Sequence, residues 1–164
     1  MFIKNEDTES VKQNSNKADE LKSYIRKSIP LTEFMDFNID ELTDFSVKVS
    51  VPIRTNGNHY NTAFGGSIAT LGILSGWTLL HSKMKEENVK GTLVIKQSIT
   101  KYIAPARTDF EAVCNDLTRE NWNNFKSELS NNGKASLILH SQLFSSETLV
   151  AKQESIYVAL LKAV

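Results

Sequence analysis

The most regular alternation of apolar and polar positions runs from Phe45 to Ile53. Every second residue in this stretch is apolar, whereas the residues between them are serine, lysine or proline. A period of two predicts a β-strand with one buried face and one face in water. Pro52 cannot donate a backbone hydrogen bond, so this end of the strand is predicted to be a sheet edge or a strand exit.

The segment that follows is predicted to be a loop and then a long buried helix. Residues 55–82 contain no Asp, Glu, Lys or Arg, and residues 55–62 have the composition of a loop. From residue 67 to 84 apolar residues recur three or four positions apart and also occupy other faces. Such a helix is either buried or membrane-spanning. A span needs about 20 predominantly apolar residues, and small polar residues and glycines interrupt this one, so the pattern favours burial.

The hydrophobic period changes again after residue 87. A short helix is predicted around Trp122, Phe125 and Leu129, which keep helical spacing. Strands joined by short turns are most simply antiparallel, so we predict an α+β fold with an antiparallel sheet of about five strands around one long helix. The later strands are predicted from segments rich in β-branched and aromatic residues: 92–104, 109–115, 135–144 and 150–161.

The N-terminal part has a different composition. Residues 1–18 are polar and are predicted to form a disordered or peripheral extension, with residues 19–164 as the single domain. Between residues 18 and 28, Leu21, Tyr24 and Ile25 recur at helical spacing and predict one short amphipathic helix, which Pro30 ends.

Composition and charge narrow the classes of function. Lys plus Arg equals Asp plus Glu at 19 each, and there is no basic stripe interleaved with aromatics, so we expect no nucleic-acid partner. Cys114 is the only cysteine, which excludes an intramolecular disulfide, and it is expected to be a small core residue. The three histidines share no ligand spacing, so no metal site and no cofactor are expected. With no apolar run near the N-terminus, we expect a cytoplasmic protein without membrane association.

The candidate site is the junction where the loop of residues 56–64 enters the long helix. The first N–H groups of a helix have no intrahelical partner and carry partial positive charge. Gly65 and Gly66 would let a ligand approach this backbone closely, so an anion or a developing oxyanion fits there. The alternative is structural: the glycines allow tight packing, and Ser67 or Thr62 caps the helix. On spacing alone we give this alternative slightly more weight, because paired glycines are common.

The residues of the junction resemble a known family. The stretch Asn58-His-Tyr-Asn-Thr-Ala-Phe-Gly-Gly-Ser67, the pair Gly76-Trp77 and the motif Tyr102-x-x-Pro105 are similar to those of hot-dog-fold thioesterases. The likeness is greatest to the family whose domain also occurs C-terminal to an acetyltransferase-like domain. It covers about residues 29–161. It implies a hot-dog fold and a homodimer, or a dimer of dimers, with acyl-thioester sites at the subunit interface.

The resemblance also implies roles for individual residues. Gly65 and Gly66 with the N–H of Ser67 would form the oxyanion site, and Asn58 or His59 would orient water or the carbonyl. The implied reaction is hydrolysis of an acyl-CoA or acyl-carrier-protein thioester. Direct attack by water is expected, because Cys114 lies in a strand and Ser67 has no evident base partner. Further contacts to the substrate are expected from Asn61, Thr62, Phe64, Trp77, Gln97 and Ser98.

The sequence departs from the family where water would be activated. Many hot-dog thioesterases carry Asp or Glu on the central helix, but residues 67–82 contain no carboxylate. The closest family is expected to have Asp just before Ser98, whereas this chain has Gln97, which can hold a water but cannot accept its proton. Asn61 stands where the family tends towards glycine. His59 is the titratable residue nearest to the junction, and histidine ordinarily titrates near neutral pH, which suits a base.

Two other functions stay open at this stage. A non-catalytic acyl-CoA-binding or ligand-sensing domain is motivated by the missing carboxylates. A dehydratase or hydratase of acyl thioesters would need a histidine paired with a carboxylate, and the junction has no such pair. His81 is expected to be structural and His140 to face solvent or an interface. Lys101 and Arg107 could meet coenzyme A phosphates, although solvated surface charge is the favoured interpretation for each.

Overall fold

The chain forms one antiparallel sheet with helices against it. The computed structural model describes the backbone of residues 6–161 and the side chains of residues 16–161. The helices are α1 (Glu6–Ser28), α2 (Pro30–Phe34), α3 (Ile53–Asn56), α4 (Gly65–Glu86) and α5 (Arg119–Asn132). The strands are β1 (Asn38–Leu42), β2 (Val47–Val51), β3 (Thr92–Tyr102), β4 (Phe110–Cys114), β5 (Lys134–Ser145) and β6 (Thr148–Leu160).

The sheet has six strands in the order β1-β2-β4-β5-β6-β3, and all neighbours are antiparallel. The predicted α+β arrangement, an antiparallel sheet with one long helix, is therefore confirmed. The strand not predicted is β1, whose burial alternates imperfectly across a register shift near Glu41. The predicted strand exit at Pro52 is also observed, since β2 ends at Val51 and α3 begins at Ile53.

Helix α1 is longer than the sequence predicted. It begins at Glu6 rather than near residue 18, because no glycine or proline interrupts the polar segment before Leu21. Among the described side chains of this helix, Leu21 and Ile25 are buried, as expected. The predicted boundary between residues 18 and 19 falls inside this helix and stays a prediction, and residues 1–5 lie outside the described part of the chain.

Helix α4 is the central element and contacts five of the six strands. It begins two residues before the predicted start, and twelve of its residues are buried. Gly72 and Gly76 face strand β6, where an added Cβ would overlap the side chains of Gln153 and Tyr157. These glycines therefore set how closely the helix approaches the sheet. No helix within the described range is both long and apolar enough to cross a membrane.

Strand β3 is the open edge of the sheet next to α4. It pairs only with β6, and its other side has no strand among the described residues. Several of its apolar side chains are exposed, which is unusual for a long strand at the edge of a sheet. They are Val94, Ile95, Ile99 and Tyr102.

Candidate active site

The loop before α4 is held in shape by the side chain of Asn58. Its Oδ1 accepts hydrogen bonds from the N–H groups of Tyr60 (2.8 Å) and Thr62 (3.4 Å). Its Nδ2 donates to the Thr62 hydroxyl (3.1 Å) and to the carbonyl of Ala63 (3.3 Å). Because both ends of this amide are engaged within the loop, Asn58 acts as a positioning residue in the single chain.

Asn61 occupies a backbone position that explains one departure from the family pattern. Its φ is 57°, in the left-handed region that glycine adopts freely and asparagine tolerates better than most residues. Asparagine can therefore replace the glycine expected there without a change of loop shape. The side chain of Asn61 is exposed.

The first turn of α4 has no side-chain cap. Phe64 is the N-cap residue, with extended backbone angles, and its carbonyl accepts from Ile68. The Thr62 hydroxyl is bonded to Asn58 instead, so the cap by Thr62 or Ser67 that the structural alternative included is wrong. Among the described residues, no hydrogen bond satisfies the N–H groups of Gly65, Gly66 and Ser67. Three donors thus point out of the helix start, as oxyanion stabilisation requires.

Two aromatic side chains lie close to Gly65 and Gly66, where they leave little room for a larger residue. The Tyr102 hydroxyl donates to the carbonyl of Gly65 at 2.8 Å, and its ring lies in van der Waals contact with the position of a Gly65 Cβ. The ring of Phe64 lies where a Gly66 Cβ would be, although Phe64 is 57% exposed. Tyr102 was part of the motif that carried the resemblance, but the sequence alone assigned it no role.

The other predicted site residues are not all brought to the helix start. Ser98 faces the helix side of the sheet, where Ser155 donates to its hydroxyl. Gln97, its neighbour, therefore faces the outer side, and its register partner there is Ile156. Trp77 lies about 16 Å along the helix from Gly66, estimated from the helical rise, with its indole N–H donating to a carbonyl of β3.

The structure assigns no role to His59, the predicted base. The side chain is exposed and its ring packs on the neighbouring Tyr60, with 3.8 Å between ring centroids. It forms no hydrogen bond with another described residue, and no carboxylate is hydrogen-bonded to the loop around Asn58. The general base of the site therefore stays a prediction.

A histidine–carboxylate pair exists elsewhere, which the sequence did not reveal. The ring of His140 lies 2.7 Å from a carboxylate oxygen of Asp116 and 3.3 Å from one of Glu154. The hydrogen bond to Asp116, followed by that to Glu154, raises the pKa of His140 against the effect of burial. His140 alternates with inward-facing Leu139, so the pair lies on the outer face of the sheet and cannot serve the start of α4 in its own chain.

Other nucleophile and metal chemistry finds no support in the described part of the chain. Cys114 is buried, and burial raises its pKa to about 12, so a thiolate nucleophile is excluded at neutral pH. No group of three or more His, Cys, Asp or Glu side chains within it could hold a metal ion. The site is therefore a set of backbone donors framed by aromatic and amide side chains.

A six-stranded antiparallel sheet packed against one long helix is the fold of hot-dog thioesterases. The chain belongs to the family described as "Putative thioesterase (yiiD_Cterm)", whose model matches residues 18–161. The resemblance inferred from the sequence is thus confirmed, and thioester hydrolysis is the general activity of the class.

Solved structures agree with this assignment. A protein from Shewanella oneidensis described as a putative thioesterase is 28% identical, with a TM-score of 0.76, over 89% of this chain and 99% of that chain. A protein of unknown function from Chlorobaculum tepidum has a TM-score of 0.85 at 24% identity, over 91% and 97% of the two chains. A Pseudomonas aeruginosa protein described as a probable thioesterase has a TM-score of 0.76 at 22% identity, over 87% and 95%. The last two likenesses concern the fold.

Proposed function

We propose that the chain hydrolyses acyl-CoA or acyl-carrier-protein thioesters by direct attack of water. The observation that supports this most is the uncapped start of α4, with free N–H groups at Gly65, Gly66 and Ser67. A thioester oxygen placed there gains negative charge as water adds to the carbonyl carbon. The C–S bond then breaks, and the products are a carboxylic acid and a free thiol.

The same proposal includes a homodimer. In one chain, the backbone edge of β3 and several of its aliphatic side chains are exposed. A second copy placed along this edge would cover these side chains and enclose the acyl chain. A dimer of dimers would bury further surface without changing this arrangement.

Arg107 is proposed to meet the phosphates of coenzyme A. The backbone N–H of Ala63, in the site loop, donates to the carbonyl of Ala106 at 2.7 Å. Arg107 follows Ala106 directly, so this bond holds its backbone beside the loop. Its side chain is exposed and forms no ion pair with a described residue. His59, on the same loop, is proposed as the base that takes the proton of the attacking water.

The test is release of free thiol from short, medium, long and aromatic acyl-CoAs and from acyl-carrier-protein thioesters. We expect turnover of at least one class, with Arg107→Gln raising KM for acyl-CoA only. Lys134→Gln, at an exposed position on β5, is the matched control. The absence of thiol release from every substrate, with a folded protein, would overturn the proposal.

A non-catalytic acyl-CoA-binding domain is the second candidate. It is favoured by the lack of a hydrogen-bonded carboxylate at the loop and by the full engagement of the Asn58 amide. It predicts acyl-CoA binding by calorimetry without thiol release. In that case His59→Gln would leave binding unchanged, whereas for the hydrolase it would abolish turnover.

A further inference from the structure

Helix α4 and strand β3 are joined at two points and open between them. The Tyr102 hydroxyl donates to the carbonyl of Gly65, and the Trp77 indole donates to the carbonyl of Leu93 at 3.4 Å. Gly65 and Trp77 lie in the same row along the helix, and successive residues of this row are four positions apart. The two residues between them in this row are partly exposed. We call the surface between the two contacts the open strip.

The β3 side of the open strip is polar next to the helix start. Tyr102, Thr100 and Ser98 face the helix, and Thr100 and Ser98 pair with Gln153 and Ser155 of β6. Two strand residues span about 6.7 Å, so Thr100 lies one such step beyond the contact at Gly65. The rest of the strip, towards Trp77, is apolar: it consists of Ala69, Ile73, Leu93 and Ile95.

Four side chains of this region form a hydrogen-bonded chain with a fixed direction. Thr100 donates to Oε1 of Gln153 (2.8 Å), Nε2 of Gln153 donates to Ser155 (3.3 Å), and Ser155 donates to Ser98 (3.4 Å). Gln153 is 2% exposed and packed against Gly72, so its amide is held in place. Thr100 keeps free oxygen lone pairs, and the Ser98 hydrogen has no acceptor among the described residues.

We infer that the substrates are hydroxyacyl thioesters, with the hydroxyl within the first few carbons and an aliphatic remainder. This inference rests on the proposed hydrolysis at the start of α4. A ligand hydroxyl between Ser98 and Thr100 accepts the free hydrogen of Ser98 and donates to a free lone pair of Thr100. A keto group would use Ser98 alone, and an unsubstituted chain would leave both unpaired on a covered surface. The aliphatic remainder lies along Ala69 and Ile73.

A purely structural role of the chain makes a different prediction. If Thr100 serves only to satisfy the buried Gln153, and Ser98 only to satisfy the buried Ser155, their loss destabilises the protein and affects all substrates equally. If they bind a ligand hydroxyl, their loss lowers activity on hydroxylated substrates more than on unsubstituted ones, so the preference is lost. The ratio of the two activities separates the explanations, since stability cancels from it.

The experiment compares kcat/KM for 3-hydroxybutyryl-CoA with butyryl-CoA, and for 3-hydroxyhexanoyl-CoA with hexanoyl-CoA. We expect roughly a tenfold preference for the hydroxylated member of each pair, the value of one to two neutral hydrogen bonds. Thr100→Val and Ser98→Ala should each reduce it to about twofold, and Thr100→Ser, which keeps the hydroxyl, should restore it. Thr92→Val, on the same strand but outside the open strip, and Ser136→Ala, on β5, are the controls.

The outcomes separate the inference from the function on which it rests. Hydrolysis of butyryl-CoA or hexanoyl-CoA without a preference for the hydroxylated partner overturns the inference alone. A preference that persists in both Thr100→Val and Ser98→Ala also overturns it. Failure to hydrolyse any of the four substrates overturns the proposed reaction as well. If Thr100→Val does not fold, the Ser98→Ala and Thr100→Ser ratios decide.

Discussion

Replacing Tyr102 with phenylalanine removes the hydroxyl that fastens the start of α4 to β3. The bond to Gly65 is 2.8 Å long and lies on a half-exposed side chain, so we expect a loss of about 0.5–1 kcal/mol in the free energy of unfolding. For a domain of this length the melting temperature should fall by about 1–4 °C. Tyr60→Phe is the matched control, because Tyr60 is exposed and its hydroxyl forms no hydrogen bond with a described residue.

The kinetic effect of Tyr102→Phe should exceed its effect on stability. Without the bond from Tyr102 the first turn frays more readily, and the N–H groups of Gly66 and Ser67 lose their fixed direction. We expect kcat to fall about fivefold with little change in KM, because the lost interaction matters most in the transition state. Thiol release and denaturant unfolding measure the two effects. A Tyr102→Phe protein with the stability and kcat of Tyr60→Phe would refute the role of this bond.

Three further predictions concern single side chains. Gly66→Val should keep the fold, because the exposed Phe64 ring can move aside, but should lower kcat/KM about 100-fold by covering the donors; unchanged kinetics would remove the oxyanion assignment. His59→Gln should abolish thiol release while acyl-CoA binding, measured by calorimetry, is kept; turnover that survives the change would point to another base. The raised pKa of His140 means that its bonds to Asp116 and Glu154 stabilise the fold below its unfolded pKa of 6.5 and lose that contribution as pH rises through the higher folded value. Unfolding of His140→Gln across pH 5–9 should therefore differ from the wild type most at the acidic end, and a difference independent of pH would contradict this.

The fold followed from the sequence where the hydrophobic period was strong. The alternation ending at Ile53 and the charge-free segment around Leu71 each predicted an element that the structure contains. Strand β1 was missed because Ile39 and Leu42 are its only apolar residues, and the shift near Glu41 breaks their alternation. A long helix α1 was missed because helix formation there follows from uninterrupted polar residues, which leave no hydrophobic pattern.

The geometry of the candidate site could be predicted from the sequence only in part, because some of its contacts join distant residues. The presence of backbone donors at Gly65 and Gly66 follows from local sequence, since the first N–H groups of any helix have no intrahelical partner. That no side chain caps them was learned from the structure, because Thr62 and Ser67 could both serve as caps. The bond from Tyr102 joins residues 37 positions apart, and no local pattern encodes it. The face on which Gln97 lies depends on the register shift between Ile95 and Gln97, which pairing with β6 determines.

The exposed edge of β3 has a consequence for the newly made chain. A strand of eleven residues with unpaired backbone groups and aliphatic side chains is a template on which other unfolded chains can aggregate. Lys96, at the register shift, and Lys101 place charges along that edge, and both are exposed. We expect these lysines to act as gatekeepers that oppose aggregation of the nascent chain through this edge.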